Sequence, residues 1–252
     1  MKMSSIANVD LDALCNEVLG SREPQTEDEK NHFLFPKLVR CVVSGGSSSG
    51  KSHLVINWII QGIIAFDELW IWSPSIHQPK YQMLKKYFEV IEEETGKKIL
   101  FMYEAGDAIP DPQTLLGKDE AERKKNTKRY CFIFDDILLE KMTIIEKYFA
   151  YGRHSRVNAF ILTQSFYHIK KSSIRNNMNM LLLFKTETKT LRCIYDSYIS
   201  GALSFDEFRK FCKKAWDKQY GYITLSIDDP VYGGMLREGV DTFYIPEKNT
   251  QK

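Results

Sequence analysis

Apolar residues along this chain gather in short runs separated by stretches of helical spacing. The runs Val39-Arg40-Cys41-Val42-Val43, Leu69-Trp70-Ile71-Trp72, Ile99-Leu100-Phe101-Met102, Tyr130-Cys131-Phe132-Ile133-Phe134, Ala159-Phe160-Ile161-Leu162, Met180 to Phe184 and Tyr222 to Ile227 read as strands. They are too short for helices and rich in β-branched and aromatic residues. Between them, Tyr81, Leu84, Phe88 and Ile91 repeat at helical spacing, as do Met142, Ile145, Tyr148 and Phe149. Two further helices follow, with Leu191, Ile194, Tyr195, Tyr198 and Ile199 on one and Phe205, Phe208, Phe211, Cys212 and Ala215 on the next. A helix is also expected directly after Ser52, through about Ile64. Strands alternating with helices predict an α/β fold whose mainly parallel sheet carries helices on both faces.

The ends of the chain read differently. Residues 1–36 suggest an N-terminal helical appendage and linker: Leu11, Leu14, Cys15, Val18 and Leu19 fall at helical spacing behind Asp10 as N-cap, and a polar stretch runs from Gly20 to His32. Residues 37–252 form the main domain, with C-terminal helices and a final strand. The segment from Pro110 through the charged run Lys118 to Arg129 shows no periodicity.

Composition narrows the function classes. Over 252 residues, 43% hydrophobic and 27% charged side chains give an ordinary globular balance. A net charge of +2, from 35 basic against 33 acidic groups, gives no bulk attraction for nucleic acid, so any such contact must be local. Cys15, Cys41, Cys131, Cys193 and Cys212 are scattered without a CxxC pair, which predicts reduced thiols in a cytoplasmic setting. Met1 to Val9 lacks the apolar core of a secretory signal, and Leu54 to Phe66, broken by Asn57 and Gln61, is too short to span a bilayer. No membrane partner is expected.

The chemistry concentrates at strand ends. Gly45-x4-Gly50-Lys51-Ser52 lies between a predicted strand and a predicted helix, the context a phosphate-binding loop requires. Glycines let backbone N–H groups turn inward around phosphates, and the helix N-terminus adds a favourable partial charge. Gly45, Gly46, Ser47, Ser48, Ser49, Gly50, Lys51 and Ser52 are the candidate nucleotide-binding residues, with Lys51 on the β- and γ-phosphates and Ser52 on Mg²⁺. Asp135 and Asp136 end an apolar strand. A carboxylate there is held rigidly beside the loop, so Asp135 is assigned to the metal and Asp136 to the attacking water. Gln164 ends the next strand, where its amide suits the γ-phosphate or that water. Arg153, Arg156 and Arg175 are candidates for stabilising transition-state charge, with Arg153 and Arg175 preferred. The cluster Arg123, Lys124, Lys125, Lys128 and Arg129 fits a solvated loop better than a phosphate-backbone contact. The segment around Ser204 to Phe208 lacks the spaced acids of a calcium loop, and no HExxH or cysteine–histidine grouping marks a zinc site.

In order, Gly45 to Ser52, Phe134-Asp135-Asp136, Gly152-Arg153-His154, Leu162-Thr163-Gln164 and Ile174-Arg175-Asn176 resemble the poxvirus-type genome-packaging ATPases of large DNA viruses, virophages and related mobile elements, within the FtsK–HerA superfamily. Ser73-Pro74-Ser75 and Tyr220-Gly221-Tyr222 also fit, and the similarity spans roughly residues 38–230. The resemblance implies a RecA-like core, ATP and Mg²⁺ as cofactors, a homo-oligomeric ring, and double-stranded DNA driven into a preformed capsid. Partners would be that DNA, further copies of the chain, and a capsid or portal-vertex protein, in host cytoplasm, a viral factory or the virion. It implies that Lys51 and Ser52 bind phosphate and magnesium, that Asp135 and Asp136 are the metal and catalytic acids, that Gln164 is the sensor, and that Arg153 or Arg175 acts across a subunit boundary. The loop is serine-rich where many relatives are glycine-rich. Another FtsK–HerA-type DNA translocase, a small-molecule or nucleoside kinase and a nucleotide-switched binding protein are the competing readings; the Asp135-Asp136 pair with Gln164 argues against the kinase.

Overall fold

A computed structural model of the protein describes residues 6–8, 31–137, 142–152, 155–169, 171–227 and 236–244. The helix expected from Asp10 to Leu19 lies outside the described residues, as does Arg153. The strands are β1 (Ile6–Asn8), β2 (Arg40–Ser44), β3 (Glu68–Trp72), β4 (Leu100–Tyr103), β5 (Tyr130–Asp135), β6 (Val157–Thr163), β7 (Met180–Phe184), β8 (Tyr222–Ser226), β9 (Leu236–Glu238) and β10 (Thr242–Tyr244). They form one sheet in the order β1-β10-β9-β8-β7-β2-β6-β5-β3-β4. From β7 to β4 every pairing is parallel; from β8 outward every pairing is antiparallel.

Period-2 side-chain alternation divides the buried runs between two cores. Cys41, Val43, Cys131, Ile133, Phe160 and Leu162 face one layer, with α1 (Lys51–Ile60) and α2 (Pro79–Thr95) packed on them. Val42, Phe132, Phe134, Ala159 and Ile161 face the other. That second core is covered by α5 (Met142–Tyr151), α6 (Thr188–Ile194) and α7 (Phe205–Trp216), together with an aromatic ladder in which Trp72 stacks on Phe134 and Tyr103. With both faces covered, the parallel strands read as continuous apolar runs.

Helix ends follow local chemistry. α1 stops at Ile60, short of the expected Ile64, because Gly62 takes φ 69° and Ile63 N–H returns to the Trp58 carbonyl. α7 opens with a reciprocal capping box between Ser204 and Glu207. The segment without periodicity contains two short helices, α3 (Pro112–Leu116) and α4 (Glu120–Lys125), each opened by an aspartate, Asp111 or Asp119, that accepts from a backbone N–H. Beyond α6, Tyr195–Ile199 widens into a π-helical turn.

Residues 31–35, expected to end the linker or adjoin it, are tied into the body. Asn31 bonds to Asn158 Oδ1 at 2.9 Å and accepts from Ala65 N–H, and Leu34 and Phe35 are buried. Among the described residues no helix is long and apolar enough to cross a membrane.

Candidate nucleotide site

The carboxyl ends of β2, β5, β6 and β7 share one edge of the sheet. β2 lies between β6 and β7, so the chain's crossovers diverge from it to both sides. In open α/β sheets ligands bind at such a switch point. A cleft of about 680 Å³ opens there, lined by Ser47 to Leu54 and Asn57, by Ser73, Ser75, Gln78 and Lys80, by Asp135, Asp136 and Gln164, and by Phe184, Tyr220 and Tyr222.

The loop between β2 and α1 curls around its own lysine. Lys51 Nζ donates to the Gly45 and Gly46 carbonyls at 2.6 and 2.8 Å, with Lys51 only 8% exposed. Burial pulls its ammonium pKa below the ordinary lysine value; Asp136 and Asp135 push it back up, and Lys80 adds to the depression. Gly50 holds φ 97°, open to glycine and strained for other residues. A Cβ at Gly45 would fall 2.5 Å from Phe184 Cβ, so the loop needs glycine there to lie against β7. Ser49 Oγ is buried without a hydrogen-bond partner inside the loop.

Beside it stands the acidic end. Asp135 is 6% exposed at the tip of β5 and accepts on Oδ2 from Ser52 Oγ at 2.8 Å. The same oxygen accepts from Tyr81 Oη, which burial and the Asp135 charge keep protonated far above the usual tyrosine range. Asp136 leaves the strand at φ 55°, its N–H donating to the Leu162 carbonyl at 2.9 Å, which turns its carboxylate toward β6. There Gln164 Nε2 donates to Asp136 Oδ2 at 2.6 Å, and both side chains are exposed in the cleft. Ser52 and Asp135 offer hard oxygens in contact, with neighbours that fix their orientation. That donor set fits Mg²⁺, which takes one or two protein oxygens together with phosphates and water.

Of the sequence-predicted residues, the structure therefore brings together Ser47 to Ser52, Asp135, Asp136 and Gln164 as cleft lining, with Gly45 and Gly46 holding Lys51 from behind. Arg175 is elsewhere. It is 8% exposed, donates to the Phe166 and Tyr167 carbonyls at 2.8 and 3.1 Å, and lies 4.5 Å over the Phe166 ring. It thereby pins the turn that follows Gln164. Arg156 is exposed and donates to the Thr127 carbonyl. In the basic cluster, Lys128 pairs with Glu68 and Arg129 with Asp67, at the sheet edge opposite the cleft.

Tyr81, Gln78, Lys80 and Tyr220 were not identified as site residues by sequence. Tyr81 occupies an apolar helical position, and only its hydroxyl, invisible to periodicity, reaches Asp135. Ser73-Pro74-Ser75 was the available signal, since it starts the segment that delivers Gln78, Lys80 and Tyr81.

A family model described as Poxvirus A32 protein matches residues 28–199. No curated protein matches by sequence. Among solved structures, the DNA-packaging ATPase B204 of Sulfolobus turreted icosahedral virus aligns with a TM-score of 0.52 at 16% identity, covering 79% of this chain and 95% of that one. The genome packaging NTPase B204 of Sulfolobus turreted icosahedral virus 2, solved with ATP-gammaS, aligns at 0.48 and 16% identity, covering 79% and 94%. The fold is RecA-like, as the strand order and the first of these alignments agree.

Proposed function

The chain belongs to the Poxvirus A32 protein family, and on that premise we propose that it is a Mg²⁺-dependent ATPase that drives double-stranded DNA into a preformed viral capsid. The observation that carries the reading is the convergence of Lys51, Ser52, Asp135, Asp136 and Gln164 on one cleft at the switch point of the sheet. The Asp136–Gln164 contact adds an acid and a neutral amide that hold each other at the strand tips.

In this reading the loop amides and Lys51 hold the β- and γ-phosphates, the ammonium exchanging its bonds to the Gly45 and Gly46 carbonyls for phosphate oxygens. Mg²⁺, when bound through Ser52 and Asp135, supplies charge neutralisation on the β- and γ-oxygens. Asp136 accepts a proton from the attacking water, whose oxygen bonds to the γ-phosphorus as the bond to the β–γ bridging oxygen breaks and ADP leaves. Gln164 orients Asp136 beforehand, and its second amide hydrogen is available to the γ-phosphate. Loss of that phosphate changes the partner of a residue fixed to the end of β6, which gives hydrolysis a route to the backbone.

Arg153 is our candidate for the arginine supplied across a subunit boundary in a homo-oligomeric ring. We assign Arg175, whose guanidinium is engaged with two carbonyls and a ring, to holding the turn after Gln164. The remaining parts of the proposal are a capsid or portal-vertex partner and a place in host cytoplasm, a viral factory or the virion. The test is the ATPase rate of purified protein with and without double-stranded DNA, alongside native mass. DNA stimulation and ring assembly are expected. Slow, DNA-insensitive turnover would make the protein a nucleotide switch, phosphorylation of a nucleoside would make it a kinase, and either result overturns the motor.

A further inference from the structure

In the function proposed above, the γ-phosphate chemistry takes the β5–β6 side of the cleft, where Asp135, Asp136 and Gln164 line it. The β7–β8 side is aromatic: Phe184 ends β7 and Tyr222 begins β8, paired in register with ring centroids 5.2 Å apart. Two residues earlier, Tyr220 lines the same cleft with 62% of its surface exposed. Its backbone sits at φ 58°, a region an aromatic residue rarely enters and one that clusters at ligand sites.

That placement is built. A Cβ at Gly221 would fall 1.9 Å from the Ala215 carbonyl oxygen and 3.0 Å from that of Lys218, so only glycine lets the chain pass so close to the end of α7. Gly221 N–H donates to the Lys218 carbonyl at 2.9 Å and closes the turn. Tyr220 is thereby set against the phosphate loop: a Cβ at Gly50 would lie 3.2 Å from its Cδ1. One ring thus combines strained backbone, a sterically enforced turn, contact with the loop and broad exposure into the cleft.

We propose that Tyr220 is the stacking platform for the nucleobase of the bound triphosphate. This rests on the phosphate-site reading above, which fixes the γ end of the ligand near Asp135, Asp136 and Gln164. The α-phosphate, ribose and base then leave the loop toward β7 and β8, passing His53 and Asn57, which are exposed one turn apart on α1 and line the cleft. Stacking reads a π-face and not an edge pattern, so it accepts any base while favouring the larger purines. The Asn57 amide, with donor and acceptor together, is placed to read a base edge.

The test compares two ligands on intact protein: Mg·ATP, and inorganic tripolyphosphate with Mg²⁺, which carries the phosphates without the base. Tyr220→Ala is expected to weaken ATP by about 5- to 150-fold, the range alanine substitution gives for base–aromatic stacking. Tripolyphosphate affinity is expected to stay at the wild-type value, and Tyr220→Trp to restore ATP. Unchanged ATP affinity in Tyr220→Ala overturns the assignment. So does equal loss for both ligands, which would make the ring a support for Gly50. Wild-type protein that binds tripolyphosphate as tightly as ATP sinks the platform and leaves the phosphate site standing; protein that binds neither sinks both.

Discussion

Replacing Tyr81 with phenylalanine removes one oxygen from the buried side of the proposed Mg²⁺ site and nothing that lines the cleft. Asp135 Oδ2 accepts from two hydroxyls, Ser52 Oγ and Tyr81 Oη. Ser52 must turn toward the metal when it acts as a ligand, so Tyr81 is then the donor still holding the carboxylate. With Asp135 only 6% exposed, water is a poor substitute. A hydrogen bond to a charged group is worth ~1.5–3 kcal/mol, and loss of such an outer-shell partner costs ~10–100-fold in metal affinity. At about 1.4 kcal/mol per tenfold the two figures span the same decade. The expected result is therefore a rise of at least ~10-fold in the Mg²⁺ concentration giving half-maximal effect. Metal-free nucleotide affinity should not change.

The assay titrates Mg²⁺ against nucleotide binding as well as ATPase rate, so the readout does not depend on turnover. Tyr148→Phe is the control. Tyr148 is another buried tyrosine whose hydroxyl donates, at 2.8 Å, to the Pro110 carbonyl, but it packs on the opposite face of the sheet. Both variants should melt lower, by ~2–4 °C per kcal/mol for a chain of this size. Only Tyr81→Phe should shift the Mg²⁺ dependence. Because the Tyr81 hydroxyl stays protonated far above the usual tyrosine range, the wild-type Mg²⁺ requirement should show no break near pH 10 from this group. A Tyr81→Phe protein with lowered melting temperature and unaltered Mg²⁺ dependence would refute the reasoning and return Tyr81 to the core.

The remaining expectations use the same preparation. Lys51→Ala should abolish nucleotide binding, whereas Asp136→Asn should bind normally and turn over ~10²–10⁴-fold more slowly, as loss of a general base predicts; near-normal turnover in Asp136→Asn would remove its role. Arg175→Ala leaves the Tyr167 carbonyl without its guanidinium donor and the Phe166 carbonyl with Ile169 N–H alone, and should cost about 1–3 kcal/mol, read as a lower denaturation midpoint. Mixing Arg153→Ala with Lys51→Ala protein should restore some ATPase activity if rings form, whereas Arg175→Ala mixed the same way should restore none. The lowered Lys51 pKa sets a sign for proton linkage. Phosphate oxygens raise that pKa on binding, so nucleotide binding at alkaline pH, between the free and bound values, should take up protons. Calorimetry in buffers of different ionisation enthalpy measures this, and proton release would contradict the burial argument.

The parallel core was legible because its central strands β2, β5, β6 and β7 are buried on both faces and so announce themselves as apolar runs. The outer strands β9 and β10 were not foreseen. They are three residues each, and Arg237 interrupts the first, buried through bonds to the Leu34 and Val240 carbonyls and Ser226 Oγ. Nothing in local composition marks such an arginine as interior, because two of its partners, the Leu34 carbonyl and Ser226 Oγ, come from other segments. α3 and α4 escaped for the opposite reason: they are too short to show a period, and only their aspartate caps signal them.

The site divides along the same line. Backbone-determined chemistry, the glycines before Lys51 and the acids at the end of β5, is written in consecutive residues and can be read directly. Chemistry that depends on one atom crossing from another element is not. Tyr81 Oη reaches Asp135 from α2, Tyr220 reaches Gly50 from the turn after α7, and the Arg175 guanidinium goes to the Phe166 and Tyr167 carbonyls. In each case the residue type was visible and its partner was not. An arginine near a motif is equally suited to a phosphate and to a pair of backbone carbonyls. Only a buried guanidinium already bonded to backbone carbonyls separates the two, and it moves the search for a trans-acting charge from Arg175 to Arg153.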